Sequence, residues 1–217
     1  MELNQVQLVI DGALNDRRLL SHPFYKRWTA GELQPEELKA YAEQYRHFEA
    51  SLPHTLQAII DELPAGDSRT FIEDNLADEA GHNGHPSHLE LFNEFAAAAG
   101  ADAIAEPTPA TQALLDAYGA AVAAGPVAAM GALLAYETQA AEVASTKSDG
   151  LQNLYGYDAQ AARFWDVHGT LDIEHGRWAT AALASAATSA EEFAFSTQQV
   201  ADAWWNFLNE REACAAA

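Results

Sequence analysis

His168, Asp172 and His175 are spaced so that one helix would carry all three on a single face. At about 100° per residue they fall near 0°, 40° and −20° on a helical wheel. Two imidazoles and a carboxylate converging in this way make a half-site for a first-row transition metal, and the set of two histidines and one carboxylate is typical of non-heme iron. Taken alone the triplet reads rather more readily as a polar surface stripe, because Asp and His are common on exposed helix faces. Other residues add weight to the metal. Glu137 closes an uncharged run from Ala117 to Tyr136, where a lone carboxylate would be costly to bury without a cation. Read by itself, Glu137 is more often a helix-surface residue. Glu79 and His82 form a Glu-x-x-His pair of the kind that ligates di-iron bundles, and His85 and His88 follow. Spacing alone favours His82, since nine residues would carry His88 to the far face of an unbroken helix. A bend at Gly84 to Pro86 removes that objection. Together these residues supply three carboxylates and three or more histidines from three helices, which is what a dinuclear iron or manganese site in a helical bundle requires. A donor set without Cys argues against structural zinc.

The elements that must position these residues are helices. β-branched residues are sparse, alternation is rare and apolar positions recur at helical spacing, so the sequence predicts an all-α fold of about seven to eight helices in a single domain over 1–217. The first helix is expected from Val6 to Ser21, then a short one within His22 to Leu33, and a longer one from Gln34, with Pro35 in its first turn and a kink at Pro53. Asp67 is a candidate cap for the helix bearing Glu79. After Pro86 a helix resumes to Gly100. Further helices are expected from the Glu106 to Pro109 turn, from Pro126 and from near Asp158. The last is announced by a capping box, Ser189 with Glu192.

Composition excludes several classes of function. Against 32 acidic residues stand only 11 Lys and Arg, a formal charge of −21, so neither nucleic acid nor an anionic membrane is an expected partner. An acidic, lysine-poor, alanine-rich surface suits concentrated salt, where screening removes self-repulsion; an ordinary acidic protein is the alternative. The only cysteine is Cys214, so no internal disulfide is available and a reducing cytoplasm is expected. The Ala117 to Tyr136 run is long enough for a membrane span, but its Ala and Gly content and the central Pro126 read better as two packed core helices. Trp204, Trp205 and Phe207 offer an apolar contact for a homodimer, and equally a closed core.

Several segments in order along the chain carry a family resemblance: His22-Pro-Phe-Tyr-Lys-Arg-Trp28, Tyr41-Ala-Glu-Gln-Tyr45, Asn75-Leu-Ala-Asp-Glu79, Ala135-Tyr-Glu-Thr-Gln139, Ser145-Thr-Lys-Ser-Asp-Gly-Leu151 and the His168 to His175 triad. The sequence resembles the heme-oxygenase-like dimetal oxidases, the fold family of TENA/THI-4 and pyrroloquinoline-quinone synthase (PqqC-like) proteins, and within it a branch that makes para-aminobenzoate for folate synthesis. The resemblance implies Glu79, His88, Glu137, His168, Asp172 and His175 as ligands of two metal ions, Fe/Fe or Fe/Mn, with O2 and a reductant as co-substrates. It favours His88 over His82. It further implies that the protein consumes itself, with Tyr25 as the source of the aromatic ring, Lys147 as the amine donor, and Tyr41 and Tyr136 as nearby tyrosines that pass radicals. Where the family has one more tyrosine just before the histidine triad, this chain has Phe164. From residue type alone, Tyr25 would be a core aromatic packed on Trp28 and Lys147 a solvated helix-end charge.

Other readings make different demands. A dimetal oxidase of the same family acting on an external fatty acid or amino acid would not need Tyr25. A thiaminase-like relative needs a mid-chain cysteine, and Cys214 lies near the end. A PqqC/TenA-like protein without metal would need a basic pocket, for which eight arginines offer little material. A non-catalytic binding module would have no use for six converging ligands and should bind no metal.

Overall fold

The computed structural model describes the backbone of residues 1–82 and 84–215, and side chains other than those of 170–175, 214 and 215. Among the described residues there are nine α-helices and no strand. They are α1 (Leu3–Leu14), α2 (Pro23–Ala30), α3 (Pro35–Glu62), α4 (Asp67–Ala80), α5 (His88–Ala98), α6 (Pro109–Ala124), α7 (Pro126–Asn153), α8 (Ala159–Ala186) and α9 (Ala194–Ala215). The number exceeds the seven to eight expected, although each of the nine coincides with one of the helical segments expected along the sequence.

Proline opens α2, α3, α6 and α7, at the position where its missing N–H has no intrahelical partner to lose. Asp158 caps α8 by accepting a hydrogen bond from the Ala161 amide at 2.9 Å. α3 continues through Pro53 to Glu62. Gly66 rather than Asp67 occupies the cap of α4, with Asp67 as its first residue. α1 stops at Leu14, well short of Ser21. A 3-10 turn at Leu19–Ser21 follows, held by the Leu19 amide donating to Gln139 Oε1 of α7 at 2.9 Å, a tertiary bond that competes with helix continuation. The Ser189 and Glu192 box also fails to start the last helix. Those residues form a second 3-10 turn, and the backbone leaves helical geometry at Phe193, whose φ is −133°. Phe193 is fully buried beside Gly131 of α7, so packing overrides the local capping signal there.

The core is organised around α7, which packs most extensively on α8 and also against α6 and α9. Its small residues permit that closeness. A Cβ at Gly150 would lie 2.4 Å from Trp28 Nε1, so glycine lets α2 approach α7. Trp204 and Phe207 of α9 are buried among the aromatic residues of α3 and α7. No described helix is long and apolar enough to cross a membrane.

Candidate metal centre and tyrosine–lysine chamber

Glu79 sits one residue before the end of α4, and His88 is the first residue of α5. The seven residues between the two helices turn the chain so that both side chains meet. Gly81 makes this turn possible. Its φ of +75° suits glycine, and a Cβ there would fall 2.6 Å from the Ser87 amide nitrogen and 2.7 Å from the His85 carbonyl oxygen. Ser87 then caps α5: its hydroxyl accepts from the Glu90 amide at 3.2 Å while Glu90 Oε2 accepts from the Ser87 amide at 2.8 Å. His88 thereby emerges with Nδ1 2.9 Å from Glu79 Oε2, both residues being buried.

α8 contributes His168, whose ring centroid lies 4.2 Å from that of His88. Glu79, His88 and His168 each present a ligand atom, and these atoms all lie within 4.8 Å of one another. His168 Nδ1 lies 2.8 Å from the Phe164 carbonyl oxygen, which can only accept, so Nδ1 carries the hydrogen. In the neutral ring this fixes Nε2 as the nitrogen with the lone pair, the arrangement by which a backbone carbonyl orients a metal-ligating imidazole. His82 does not join the cluster. It is exposed, with Nδ1 3.0 Å from the Ala77 carbonyl oxygen, and His85 is exposed as well. Asp172 and His175 lie on α8 one and two turns beyond His168, and their side chains are outside the described residues.

Glu137 of α7 is buried, and its Oε2 has no hydrogen-bond partner among the described residues. Burial, and secondarily the negative charge of Glu79, push its carboxyl up to about 8. A third carboxylate, Glu49 of α3, was not singled out from the sequence. It is 3 % exposed, also has an orphaned Oε2, and is held well above the usual carboxylate range by burial first and Glu79 second. Isolated buried carboxylates of this kind are costly, and a divalent cation is the group that would compensate them. The described donors, oxygen and imidazole nitrogen without sulfur, fit iron or manganese.

Beside this cluster lies a chamber of aromatic rings around one amine. Lys147 of α7 is fully buried. Its Nζ lies 3.8 Å from the ring centroid of Trp165, 4.4 Å from Tyr45, 5.0 Å from Tyr41 and 5.6 Å from Tyr25. That placement overturns the reading of Lys147 as a solvated helix-end charge, since lysine is almost never fully buried without a specific reason. Tyr25 of α2 is buried too, with its ring 6.3 Å from Trp28, and its hydroxyl lies 3.2 Å from that of Tyr41. Tyr41 stacks on Tyr45 at 5.5 Å, and the Tyr45 hydroxyl lies 2.7 Å from that of Tyr136. Burial raises the phenols of Tyr25, Tyr41 and Tyr45 well above their ordinary value, so all three are protonated at neutral pH. Phe164 packs 4.1 Å from the His168 ring and 6.5 Å from Tyr45.

Tyr45, Trp165 and Glu49 are the residues of this region that sequence reasoning missed. One signal was available: Tyr41, Tyr45 and Glu49 recur every four residues, which puts them on one stripe of α3.

A helical bundle that brings a buried carboxylate and two imidazoles together from α4, α5 and α8 could hold a metal ion, and the sequence comparisons point to a redox enzyme. Residues 39–205 match the family described as iron-containing redox enzyme, and the chain belongs to that family. It is 34 % identical to a 4-aminobenzoate synthase of Nitrosomonas europaea, over 96 % of this chain and 92 % of that protein. It is 30 % identical to a 4-aminobenzoate synthase of Chlamydia pneumoniae, over 95 % and 96 % of the two chains. Among solved structures, a CADD-like protein of unknown function from Nostoc punctiforme superposes with a TM-score of 0.83 at 19 % identity, covering both chains completely. A TenA homologue from P. horikoshii gives 0.74 at 16 % identity over 96 % of each chain. The fold is thus the heme-oxygenase-like one.

Proposed function

We propose that this protein is a self-sacrificing 4-aminobenzoate synthase, in which Tyr25 supplies the aromatic ring and Lys147 the amine. The observation that carries this reading is the fully buried Lys147 amine among the rings of Tyr25, Tyr41 and Tyr45, close to a cluster of carboxylates and imidazoles. The names of the relatives from Nitrosomonas europaea and Chlamydia pneumoniae point the same way.

Glu79, His88, Glu137 and His168, with Asp172 and His175 further along α8, would hold two first-row metal ions, Fe/Fe or Fe/Mn. Bound there, the metals would supply reductive activation of dioxygen, with an external reductant providing electrons. The chain's own residues do the rest. Trp28, Phe24 and Tyr41 fix the Tyr25 ring. The hydroxyl pairs Tyr25–Tyr41 and Tyr45–Tyr136, joined by the stacked rings of Tyr41 and Tyr45, give a buried path along which protons and electrons can leave Tyr25. The chamber excludes water and so protects reactive species from quenching. Lys147 is held against the ring faces by cation–π attraction while it is charged, in position to deliver nitrogen.

A second reading keeps the metals and takes an external small molecule, such as a fatty acid or amino acid. A cavity of about 820 Å³ between α1, α7 and α8, which Glu137, Thr138, Arg177 and Trp178 help to line, favours it. Tyr25→Phe separates the two. With metal, reductant and dioxygen supplied, the self-sacrificing enzyme should form no 4-aminobenzoate once Tyr25 is replaced, whereas unchanged product from the variant would eliminate Tyr25 as the ring source.

A further inference from the structure

Glu49 has no part in the ligand set considered so far, yet its surroundings are those of a ligand. It lies on α3 one turn beyond Tyr45 and two beyond Tyr41, and is 3 % exposed. One of its oxygens, Oε2, has no contact with solvent and no hydrogen-bond partner among the described residues. That oxygen gives up water without a donor of its own, and a cation is one group that can replace the lost hydration.

The same interior already contains Glu79 and Glu137, the latter with its own orphaned Oε2. Glu49 interacts electrostatically with both of them and with Lys147, and its carboxyl accepts from the Tyr45 hydroxyl. Three buried carboxyls therefore interact in this interior, with the Lys147 amine acting on Glu49 as well. Two divalent ions would bring four positive charges to them. Carboxylate bundles that hold two metals commonly draw one glutamate from each of two helices and a carboxylate with an imidazole from the others. Glu49 on α3 and Glu137 on α7 stand as the two single glutamates. Glu79 with His88, and His168 on α8, supply the remainder.

We propose that Glu49 is a further ligand of the metal centre, supplying a carboxylate oxygen from α3. The inference rests on the reading that this cluster binds two metal ions. It would make α3, the helix that carries Tyr41 and Tyr45, part of the coordination sphere, so that metal loading also sets the position of the tyrosine stripe.

The test is an anaerobic Co(II) titration of the full chain, wild type against Glu49→Gln, followed by visible absorption and by the number of ions retained after desalting. Loss of one ligand should weaken one of the two sites by at least the roughly 10–100-fold that removal of a mere supporting group costs, and should change the Co(II) absorption. Glu49→Asp keeps the carboxylate and should recover part of the affinity. The metal-free Glu49→Gln protein, relieved of a buried charge, should fold at least as well as wild type by circular dichroism. Two Co(II) ions bound by Glu49→Gln with wild-type affinity would overturn the proposal, as would weaker binding with an unchanged spectrum, which would place Glu49 outside the coordination sphere. A wild-type chain that binds no Co(II) would instead remove the dimetal reading on which the inference stands.

Discussion

Glu137→Gln isolates the electrostatic strain of the metal-free centre. In the folded, metal-free chain the Glu137 carboxyl is pushed up to about 8 from an ordinary 4.5, by burial and by Glu79. The sign follows from that direction. Below about 4.5 the group is protonated in both folded and unfolded chains and costs nothing. As pH rises toward 8 the unfolded chain ionises while the folded one resists, so stability falls across that window; above it both are ionised and the loss levels off. Taken at ~1.36 kcal/mol per factor of ten in proton affinity, the full span amounts to about 5 kcal/mol. Relaxation and water entry reduce this ceiling to several kcal/mol. Urea unfolding in the presence of a chelator, at pH 5, 7 and 9, measures it. Wild type should lose stability from pH 5 to 9 by at least ~2 kcal/mol more than Glu137→Gln, with Glu49 and the remaining acidic groups common to both. Parallel stability curves for the two proteins would refute the reasoning, because Glu137 would then not be strained in the metal-free state. A corollary is that metal binding displaces a proton from Glu137, so affinity should rise with pH through the same window.

Gly81→Ala should cost about 2–4 kcal/mol, combining a left-handed backbone with a Cβ driven into the Ser87 amide nitrogen and the His85 carbonyl oxygen, and should lower metal affinity by displacing His88; a thermal melt and an Fe(II) titration check both effects. Lys147→Met removes the amine that faces the buried Glu49 carboxyl, so the metal-free chain should melt at a lower temperature while 4-aminobenzoate formation is abolished, as read by a melt and by product analysis.

Much of the fold is legible in the sequence because its signals are local: proline at the helix starts, Asp158 before α8, apolar residues at helical spacing. The misjudged boundaries have tertiary causes. α1 ends early because Gln139 takes the Leu19 amide, and the last helix starts late because Phe193 must pack on Gly131. At the site, Glu79 and His168 stand out by type and spacing. The placement of His88 depends on the turn at Gly81, which wheel geometry cannot foresee, and spacing alone pointed to His82. Lys147 and Glu49 are ordinary in sequence, since a single charged residue in a helix usually faces water. Only the way α3 and α8 close over α7 buries them. The sequence family supplied what periodicity could not, the pairing of Tyr25 with Lys147.

The central claim is that Tyr25 is consumed to make the product. Its most direct test loads the purified chain anaerobically with Fe(II), or Fe(II) and Mn(II), then adds dioxygen and reductant and follows both the released small molecules and the mass of the peptide containing residue 25. The account predicts 4-aminobenzoate together with a matching loss of the Tyr25 side chain. Product formed while that peptide keeps its full mass would contradict it.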